Sequence, residues 1–313
     1  MKRREFLLAA GATALAPTLH AGSAKPVHFK KRIKLGISTY SYWHFEEKKF
    51  PIETVIERTA EFGIEAVDIL HRQMEITEKG PFDATARAYC RKLKRIAFRN
   101  GVDVVCLSTH QSFVFPDPKA RQAQVDHTLK CLEIADSLGA SCIRVNAGRW
   151  NTVPDFDEFM KKRGLEPPLA GHTEDEAFEW AIDGLGKCLK RAEELGIVLA
   201  LENHWGLSRS PEGLLRLLAP FDSPFLGALM DTGNFLEDPY DKLKLIAPKT
   251  MFVQAKTYYG GGLWYTLDLD YQRIAQILAD AGYSGCVSLE MEGREQADTA
   301  VPKSLAVLRK AFG

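Results

Sequence analysis

Short apolar runs alternate with longer amphipathic stretches along the chain from residue 33 onward. The apolar runs lack a regular polar alternation, so they predict strands that are buried on both faces, as in a parallel sheet. The stretches between them repeat their apolar positions with the period of a helix. The predicted strands are residues 33–39, 66–70, 102–108, 142–146, 198–202, 226–231, 251–256 and 286–291. The clearest predicted helices are residues 51–62, 84–100, 122–138, 174–195 and 271–281.

Several predicted helices end on a glycine just before the next strand, as at Gly139 and Gly196. Glycine accepts the left-handed backbone of a helix cap, so each marks a helix-to-strand turn. Eight strand–helix units predict an α/β fold, a (β/α)8 TIM barrel, as a single domain over residues 33–313. An open, doubly wound sheet is the alternative, but the first strand lacks the GxGxxG motif that would favour it. The longest predicted loops would stand at the carboxyl face of the barrel, and they are residues 40–50, 147–172 and 257–268.

Residues 1–24 form a separate segment with the features of an export signal. Lys2, Arg3 and Arg4 precede a short apolar stretch, and small residues follow it. This order describes a cleaved signal, and the adjacent arginines followed by Phe6 and Leu7 resemble the twin-arginine type, with an ordinary secretory signal as the alternative. We expect residues 25–32 to be a linker. The predicted destination is the periplasm or the extracellular space, without a membrane anchor after signal cleavage.

Composition and charge give no sign of a nucleic-acid partner, a membrane span or a cysteine-based metal site. The chain has 313 residues with 41 basic and 41 acidic side chains, and no basic stripe predicts a nucleic-acid partner. No apolar stretch after residue 25 approaches the roughly 20 residues that span a bilayer. The cysteines lack CxxC and zinc-ligand spacing, so we expect them to be buried small apolar residues. They are Cys90, Cys106, Cys131, Cys142, Cys188 and Cys286.

Four polar residues fall at or near the carboxyl ends of the last four predicted strands. They are Glu202, Asp231, Gln254 and Glu290. In a TIM barrel these ends converge at one mouth, where active sites are built. Neighbouring buried carboxylates repel one another unless a cation or a shared proton neutralises them. The pattern therefore predicts an oxygen-rich site for a hard divalent cation, with a hydrogen-bonding role as the alternative for Gln254.

The ALEN, MDTGN and SLEMEG segments that hold three of these residues resemble those of the xylose isomerase-like superfamily of sugar epimerases and isomerases. The resemblance covers residues 33–312 and includes the order of the strands. It implies one bound divalent cation, Mn(II), with Mg(II) or Co(II) as alternatives, and no organic cofactor. The implied ligands are Glu202, Asp231, Gln254 and Glu290.

Two positions depart from the family pattern. Gln254 stands where the family commonly has a histidine, and Asn234 stands where a second histidine often follows Asp231. Loss of imidazole shifts the predicted preference from zinc toward Mn(II) or Mg(II). Some relatives that act on 3-keto-glycosides are similar in having glutamine there. The endonuclease IV branch has a histidine-rich site for three metal ions, which this chain lacks.

The resemblance implies a sugar epimerase or isomerase that abstracts a proton next to a carbonyl, through an enediolate, on a keto sugar or a 3-keto-glycoside. Glu202 and Glu290 would be the catalytic pair, one removing a proton and the other returning one. A lyase that eliminates from a 3-keto-glycoside on the same metal site is one alternative, and a non-catalytic periplasmic carbohydrate-binding protein is another. A homo-oligomer, such as a dimer or tetramer, is the implied assembly.

Further residues near the predicted mouth are candidates to bind substrate. Aromatic side chains suit the apolar faces of sugar rings, and an amine or an amide binds hydroxyl and carbonyl oxygens. For His110 the alternative is capping, and for the tryptophans it is ordinary packing. The candidates are Trp43, His110, Asn146, His204, Trp205, Asn234, Lys256 and Arg294.

Overall fold

A closed barrel of parallel strands forms the centre of the molecule. The computed structural model describes Val27, Phe29 and residues 32–313, so the predicted export signal lies outside the described residues. Each strand pairs with the next in parallel, and the first strand also pairs with the last. The strands are β1 Lys34–Ser38, β2 Ala66–Leu70, β3 Asp103–Ser108, β4 Cys142–Val145, β5 Val198–Glu202, β6 Leu226–Asp231, β7 Thr250–Thr257 and β8 Cys286–Met291. The predicted TIM barrel is confirmed.

Helices follow the strands and cover the outside of the barrel. They are α1 Ile52–Glu61, α2 Ala84–Arg99, α3 Pro118–Leu138, α4 Phe156–Lys161, α5 Glu174–Leu195, α6 Pro211–Leu218, α7 Pro239–Ile246, α8 Tyr271–Asp280 and α9 Ala297–Phe312. Gly139 and Gly196 take left-handed backbone at φ 78° and 68° and end α3 and α5, as predicted. Within the described residues, no helix combines the length and apolar character that a membrane crossing requires.

Two apolar layers hold the barrel together. The larger layer packs the outer faces of the strands against the helices. A smaller one fills the lower part of the lumen with one residue from each of β2 to β8, among them Ala66, Cys106, Cys142 and Phe252. The six cysteines are all buried and free, so their predicted burial is confirmed. With the lumen closed below by apolar side chains, polar groups in the barrel gather at its upper end.

The loops at the carboxyl face are more structured than the sequence predicts. The predicted loop 147–172 contains α4, whose start is capped by the Asp155 side chain accepting from the Glu158 amide at 2.8 Å. The predicted loop 40–50 opens with a 3-10 turn, Thr39–Tyr42. Strand β7 runs to Thr257, one residue into the third predicted loop. Helix α4 has only six residues, so the apolar periodicity that would predict it from the sequence is short and weak.

Candidate active site

The four predicted strand-end residues lie on four neighbouring strands at the barrel mouth. Glu202 and Asp231 are the last residues of β5 and β6, and Gln254 and Glu290 lie near the ends of β7 and β8. Strand pairing places Asp231 opposite Gln254 and Lys256 opposite Glu290. All of these side chains are buried. The register of the parallel strands thus brings acids from across the sequence to one end of the lumen.

A cavity of about 300 Å³ opens at this end. Its size suits a small ligand, since binding pockets begin at about 300 Å³. Charged groups and imidazoles line it, namely Arg72, Arg144, Lys256, Glu202, Glu290, Glu292, His110 and His204. Aromatic rings and one leucine form its wall, namely Tyr40, Phe45, Phe156, Trp205, Trp264, Tyr265 and Leu70. The combination fits a ligand with many oxygens and an apolar ring face.

Glu202 is held as a carboxylate by amides and a guanidinium. The side-chain amides of Asn146 and Asn234 donate to its two oxygens at 2.8 Å and 3.1 Å. The Arg144 Nε atom lies 3.5 Å from the Glu202 Oε2 atom. Burial acts to raise the pKa of Glu202, but Arg144 and other nearby cations outweigh it, and the pKa lies below its ordinary value. Glu202 is therefore ionised at neutral pH.

The pKa values of Asp231 and Glu290 shift in the opposite direction to that of Glu202. Burial raises the pKa of Asp231 to about 7, with a further rise from the Glu202 charge, although Lys256 opposes the change. Burial likewise raises the pKa of Glu290 well above its ordinary value. Asp231 Oδ1 accepts from the Gly233 amide at 2.7 Å, whereas Asp231 Oδ2 is buried without a hydrogen-bond partner. The negative charge of the mouth thus exceeds what its own cations neutralise.

Lys256 is the cation nearest to these acids. Its ammonium donates to Glu292 at 2.8 Å and to Asn234 at 3.0 Å. It also lies 3.6 Å from Asp231 Oδ2 and 3.9 Å from Glu290 Oε2. Burial acts to lower the pKa of Lys256, but the surrounding carboxylates raise it well above its ordinary value. The ammonium is therefore permanently charged and stands between β6 and β8.

Gln254 is oriented by polar groups on the far side of the lumen. Its Nε2 atom donates to Asp68 at 2.8 Å and to the Ser108 hydroxyl at 3.1 Å. The same hydroxyl donates to Asp68 at 2.8 Å. These bonds fix the orientation of the side-chain amide, and they leave Gln254 Oε1 buried without a hydrogen-bond partner. An amide oxygen presented in this way is a suitable ligand for a hard cation.

The donor set fits a divalent cation by its chemistry. Asp231 Oδ2 and Gln254 Oε1 are buried oxygens without hydrogen-bond partners, and the buried acids of the mouth outnumber its buried cations, Arg144 and Lys256. The carboxylates are nevertheless spread apart. In the part of the chain that the structure describes, the group of three potential ligands within 4.8 Å of one another is instead His71, His127 and Cys131. Binding at the mouth would require the acids to close in and Lys256 to withdraw.

The remaining predicted residues divide into two groups. His110, His204, Trp205 and Lys256 line the cavity, while Asn146 and Asn234 reach it through their bonds to Glu202. Burial lowers the pKa of His204 to about 4 and that of His110 well below its ordinary value, so both imidazoles are neutral.

Two predicted residues lie outside the cavity. The Trp43 indole donates to the Glu46 carbonyl at 2.7 Å, and Arg294 is exposed and donates to the Leu263 carbonyl at 3.0 Å. These backbone contacts hold both side chains in the surrounding loops. The structure places Tyr40 and Phe45 on the wall near Trp43 instead.

Four further residues of the site are absent from the sequence predictions. Asp68 and Arg144 lie inside β2 and β4, and each is the charged residue in a buried strand. A charged residue that interrupts an apolar strand was the sequence signal that could have predicted both of them. Glu292 follows Glu290 by two residues and so points to the same side of the chain, where it pairs with Lys256. Tyr265 comes from the loop after β7, and nothing in its local sequence marks it.

Comparison with known proteins assigns the family. A sequence profile described as xylose isomerase-like TIM barrel matches residues 56–311, most of the chain. The chain belongs to this family. The family resemblance expected from the sequence is therefore confirmed.

Solved structures with the same fold include several sugar epimerases. D-psicose 3-epimerase from Clostridium cellulolyticum H10, in complex with D-tagatose, has a TM-score of 0.66 at 16% identity over 90% of this chain and 99% of that one. The 3-keto-D-glucoside 4-epimerase from E. coli has a TM-score of 0.66 at 17% identity, covering 89% and 99% of the two chains. The IOLI protein, with a bound zinc atom, has a TM-score of 0.65 at 15% identity, covering 89% and 96%. At these identities the similarity shows the fold.

Proposed function

We propose that this protein is a divalent-metal-dependent sugar epimerase or isomerase that acts on a keto sugar, and within that class on a 3-keto-glycoside. The observation that carries the proposal is the paired glutamates Glu202 and Glu290 in one aromatic-walled cavity, with opposite shifts in pKa. Two carboxyl groups whose environments separate their pKa values form a base and an acid. The epimerases that share the fold, including one for 3-keto-D-glucoside, support the substrate class.

The cation would be held by the unpartnered oxygens of Asp231 and Gln254 together with Glu202 and Glu290. Mn(II) suits these oxygen donors best, with Mg(II) or Co(II) as alternatives. A bound divalent cation supplies Lewis-acid polarisation of a carbonyl, which acidifies the neighbouring C–H bond. Side chains of the protein would carry out the proton transfers and bind the substrate.

Glu202 is the favoured base because it is ionised, and Glu290 is the favoured acid because burial favours a proton on its carboxyl group, which would stay on the oxygen that does not bind the cation. Glu202 would take the proton from the carbon next to the carbonyl, leaving an enediolate. Glu290 would then return a proton, to the opposite face of that carbon for epimerisation or to the adjacent carbon for isomerisation. The Lys256 ammonium, within the same cavity, would bind an oxygen on which negative charge develops.

The aromatic wall would hold the sugar ring above these groups. Trp205 packs edge-on against Phe159 and Tyr265, with ring centroids 6.4 Å and 5.9 Å away, so it is fixed in place. Rings held rigidly lose little entropy when a sugar packs on them. Residues 1–24 would direct this activity to the periplasm or the extracellular space.

Incubation with a 3-keto-glucoside in heavy water tests the proposed function. Deuterium at a carbon next to the carbonyl, in a product with the glycosidic bond intact, supports epimerisation or isomerisation. Release of the aglycone would instead show a lyase, since the same enediolate can expel a leaving group. An unaltered ligand without deuterium, in a protein that binds it, would show a carbohydrate-binding protein and overturn the proposal.

A further inference from the structure

A second cluster of metal-ligating side chains lies outside the active site, between the end of β2 and helix α3. Its members are His71, in the 3-10 turn His71–Gln73, and His127 and Cys131 of α3. His127 and Cys131 are four residues apart, so they share one face of the helix. His71 reaches that face from the barrel. All three ligand atoms lie within 4.8 Å of one another.

The two sulfur-to-nitrogen distances within the cluster match those of a tetrahedral zinc site. The Cys131 sulfur lies 3.6 Å from His71 Nδ1 and 3.5 Å from His127 Nε2. Zn–S and Zn–N bonds of about 2.3 Å and about 2.0 Å, joined at a tetrahedral angle, separate sulfur from nitrogen by about 3.5 Å. The two imidazole rings lie nearly parallel, 24° apart, with centroids 5.8 Å from each other. The three side chains are therefore spaced as ligands before any ion enters.

The two imidazoles are also in a suitable protonation state, whereas burial raises the pKa of the Cys131 thiol, so the ion must displace its proton. Burial lowers the pKa of His127 and, with the neighbouring His127 ring, that of His71 to about 4. Both imidazoles are thus neutral, as metal binding requires. A hydrogen bond between the His127 ring and the backbone of His110 orients that ring. Such outer contacts are typical of histidine ligands.

A path from solvent leads to the cluster. His127 is half-buried and forms part of the wall of a surface cavity of about 540 Å³, together with Arg72, Glu78, Asp126 and Lys130. His71 and Cys131 lie behind it and are fully buried. An ion can therefore enter past His127 and meet the other two ligands.

We propose that His71, His127 and Cys131 bind one borderline-soft divalent cation, Zn(II) by preference, separate from the cation of the active site. On binding, the thiol of Cys131 releases one proton to solvent and its sulfur bonds to the metal. Two imidazoles and a thiolate favour zinc over the harder ions that suit the oxygen ligands of the mouth. Water or a small ligand occupies the fourth position.

The proposed zinc site lies next to the active-site cavity. Arg72 and His110 line both the surface cavity and the active-site cavity. A metal that joins His71 to α3 fixes the segment after β2, which carries Arg72. We therefore expect zinc to raise the Tm of the protein as well as to bind.

Titration with Co(II), a spectroscopic substitute for Zn(II), tests the site. The full chain is stripped with a chelator, and Co(II) is added to the wild type, to Cys131→Ala and to Cys90→Ala, which removes a buried cysteine of another helix. We expect near-ultraviolet thiolate-to-cobalt absorption to saturate at one equivalent in the wild type and in Cys90→Ala, and to be lost in Cys131→Ala. Among the described residues, no cysteine lines the active-site cavity, so this thiolate absorption reports the second site whether or not the first binds metal.

His127→Gln provides a variant that keeps the buried side chains in place. We expect its affinity for Co(II) to fall by at least about tenfold, the loss typical even of outer contacts to a metal ligand. Zinc should also raise the Tm of the wild type by more than it raises that of His127→Gln, which keeps the cation site of the mouth. A wild type without thiolate absorption, or with equal absorption in Cys131→Ala, would overturn the proposal and leave a hydrogen-bonded cluster of one thiol and two imidazoles.

Discussion

At the scale of single residues, the site is governed by an imbalance of charge. Asp231, Glu290 and Glu292 surround the Lys256 ammonium, and Glu202 pairs with Arg144. Burial is the main reason why the pKa values of Asp231 and Glu290 are raised, neighbouring carboxylates add to the rise, and protons on these two acids relieve the excess negative charge. A divalent cation would relieve it in another way, so protons and metal compete for the same oxygens.

This competition predicts that Mn(II) binds more tightly as the pH rises. The pKa of Asp231 is about 7 in the metal-free protein, so below that pH the cation must displace a proton. The affinity should weaken about tenfold for each pH unit below 7, for each proton displaced. Calorimetric titration of the chelator-stripped protein at pH values on both sides of 7 measures the slope.

Asp231→Asn is the matched variant, because asparagine keeps the shape of the side chain and removes the carboxyl group that titrates. Its binding should be weaker overall and should vary less with pH. Equal affinity of the wild type for Mn(II) at pH 6 and at pH 8 would show that Asp231 does not ligate the ion.

At the scale of elements, two loops from the carboxyl face meet over the cavity. Helix α4 follows β4 and carries Phe156, while the segment after β7 carries Trp264. Their rings meet edge-to-face with centroids 5.2 Å apart, yet each side chain is more than a third exposed, at 37% and 38%. Exposed aromatic rings at the entrance of a polar cavity are suited to pack against a sugar.

Trp264→Ala is therefore expected to weaken substrate binding. Loss of one aromatic contact, worth about 0.5–1.5 kcal/mol, should raise KM about two- to tenfold and leave kcat close to the wild-type value. Steady-state kinetics with the 3-keto-glucoside measures both constants. Phe98→Ala is the control, since Phe98 is 84% exposed on α2 and remote from the mouth. An unchanged KM in Trp264→Ala would remove this ring from the binding site.

At the scale of the whole molecule, the sequence was sufficient for the fold and for part of the site. Four of the predicted strands, those that end in Leu70, Glu202, Asp231 and Met291, have the same bounds in the structure. Continuous apolar runs and glycine caps are local signals, so they can be recognised without knowledge of tertiary contacts. The acids at strand ends were recognisable because parallel strands deliver their ends to one face.

The rest of the site depends on closure of the barrel. Asp68, Ser108 and Gln254 come from β2, β3 and β7, yet they join in one hydrogen-bonded group across the lumen. Arg144 reaches Glu202 only because β4 lies beside β5. The cluster of His71, His127 and Cys131 likewise forms where α3 packs beside the end of β2. Such contacts between distant segments leave no mark on the periodicity of a single segment.

The central claim is that paired glutamates act with a bound cation on a carbon next to a carbonyl. Its most direct test is solvent deuterium incorporation into a 3-keto-glucoside product, measured on chelator-stripped protein before and after reloading with Mn(II). We expect reloading to restore product formation in the wild type and in Glu295→Gln, an acid outside the cavity that pairs with Lys303. Glu290→Gln should form no product, with its circular dichroism spectrum unchanged. Full activity of the stripped wild type, or of Glu290→Gln, would contradict the account.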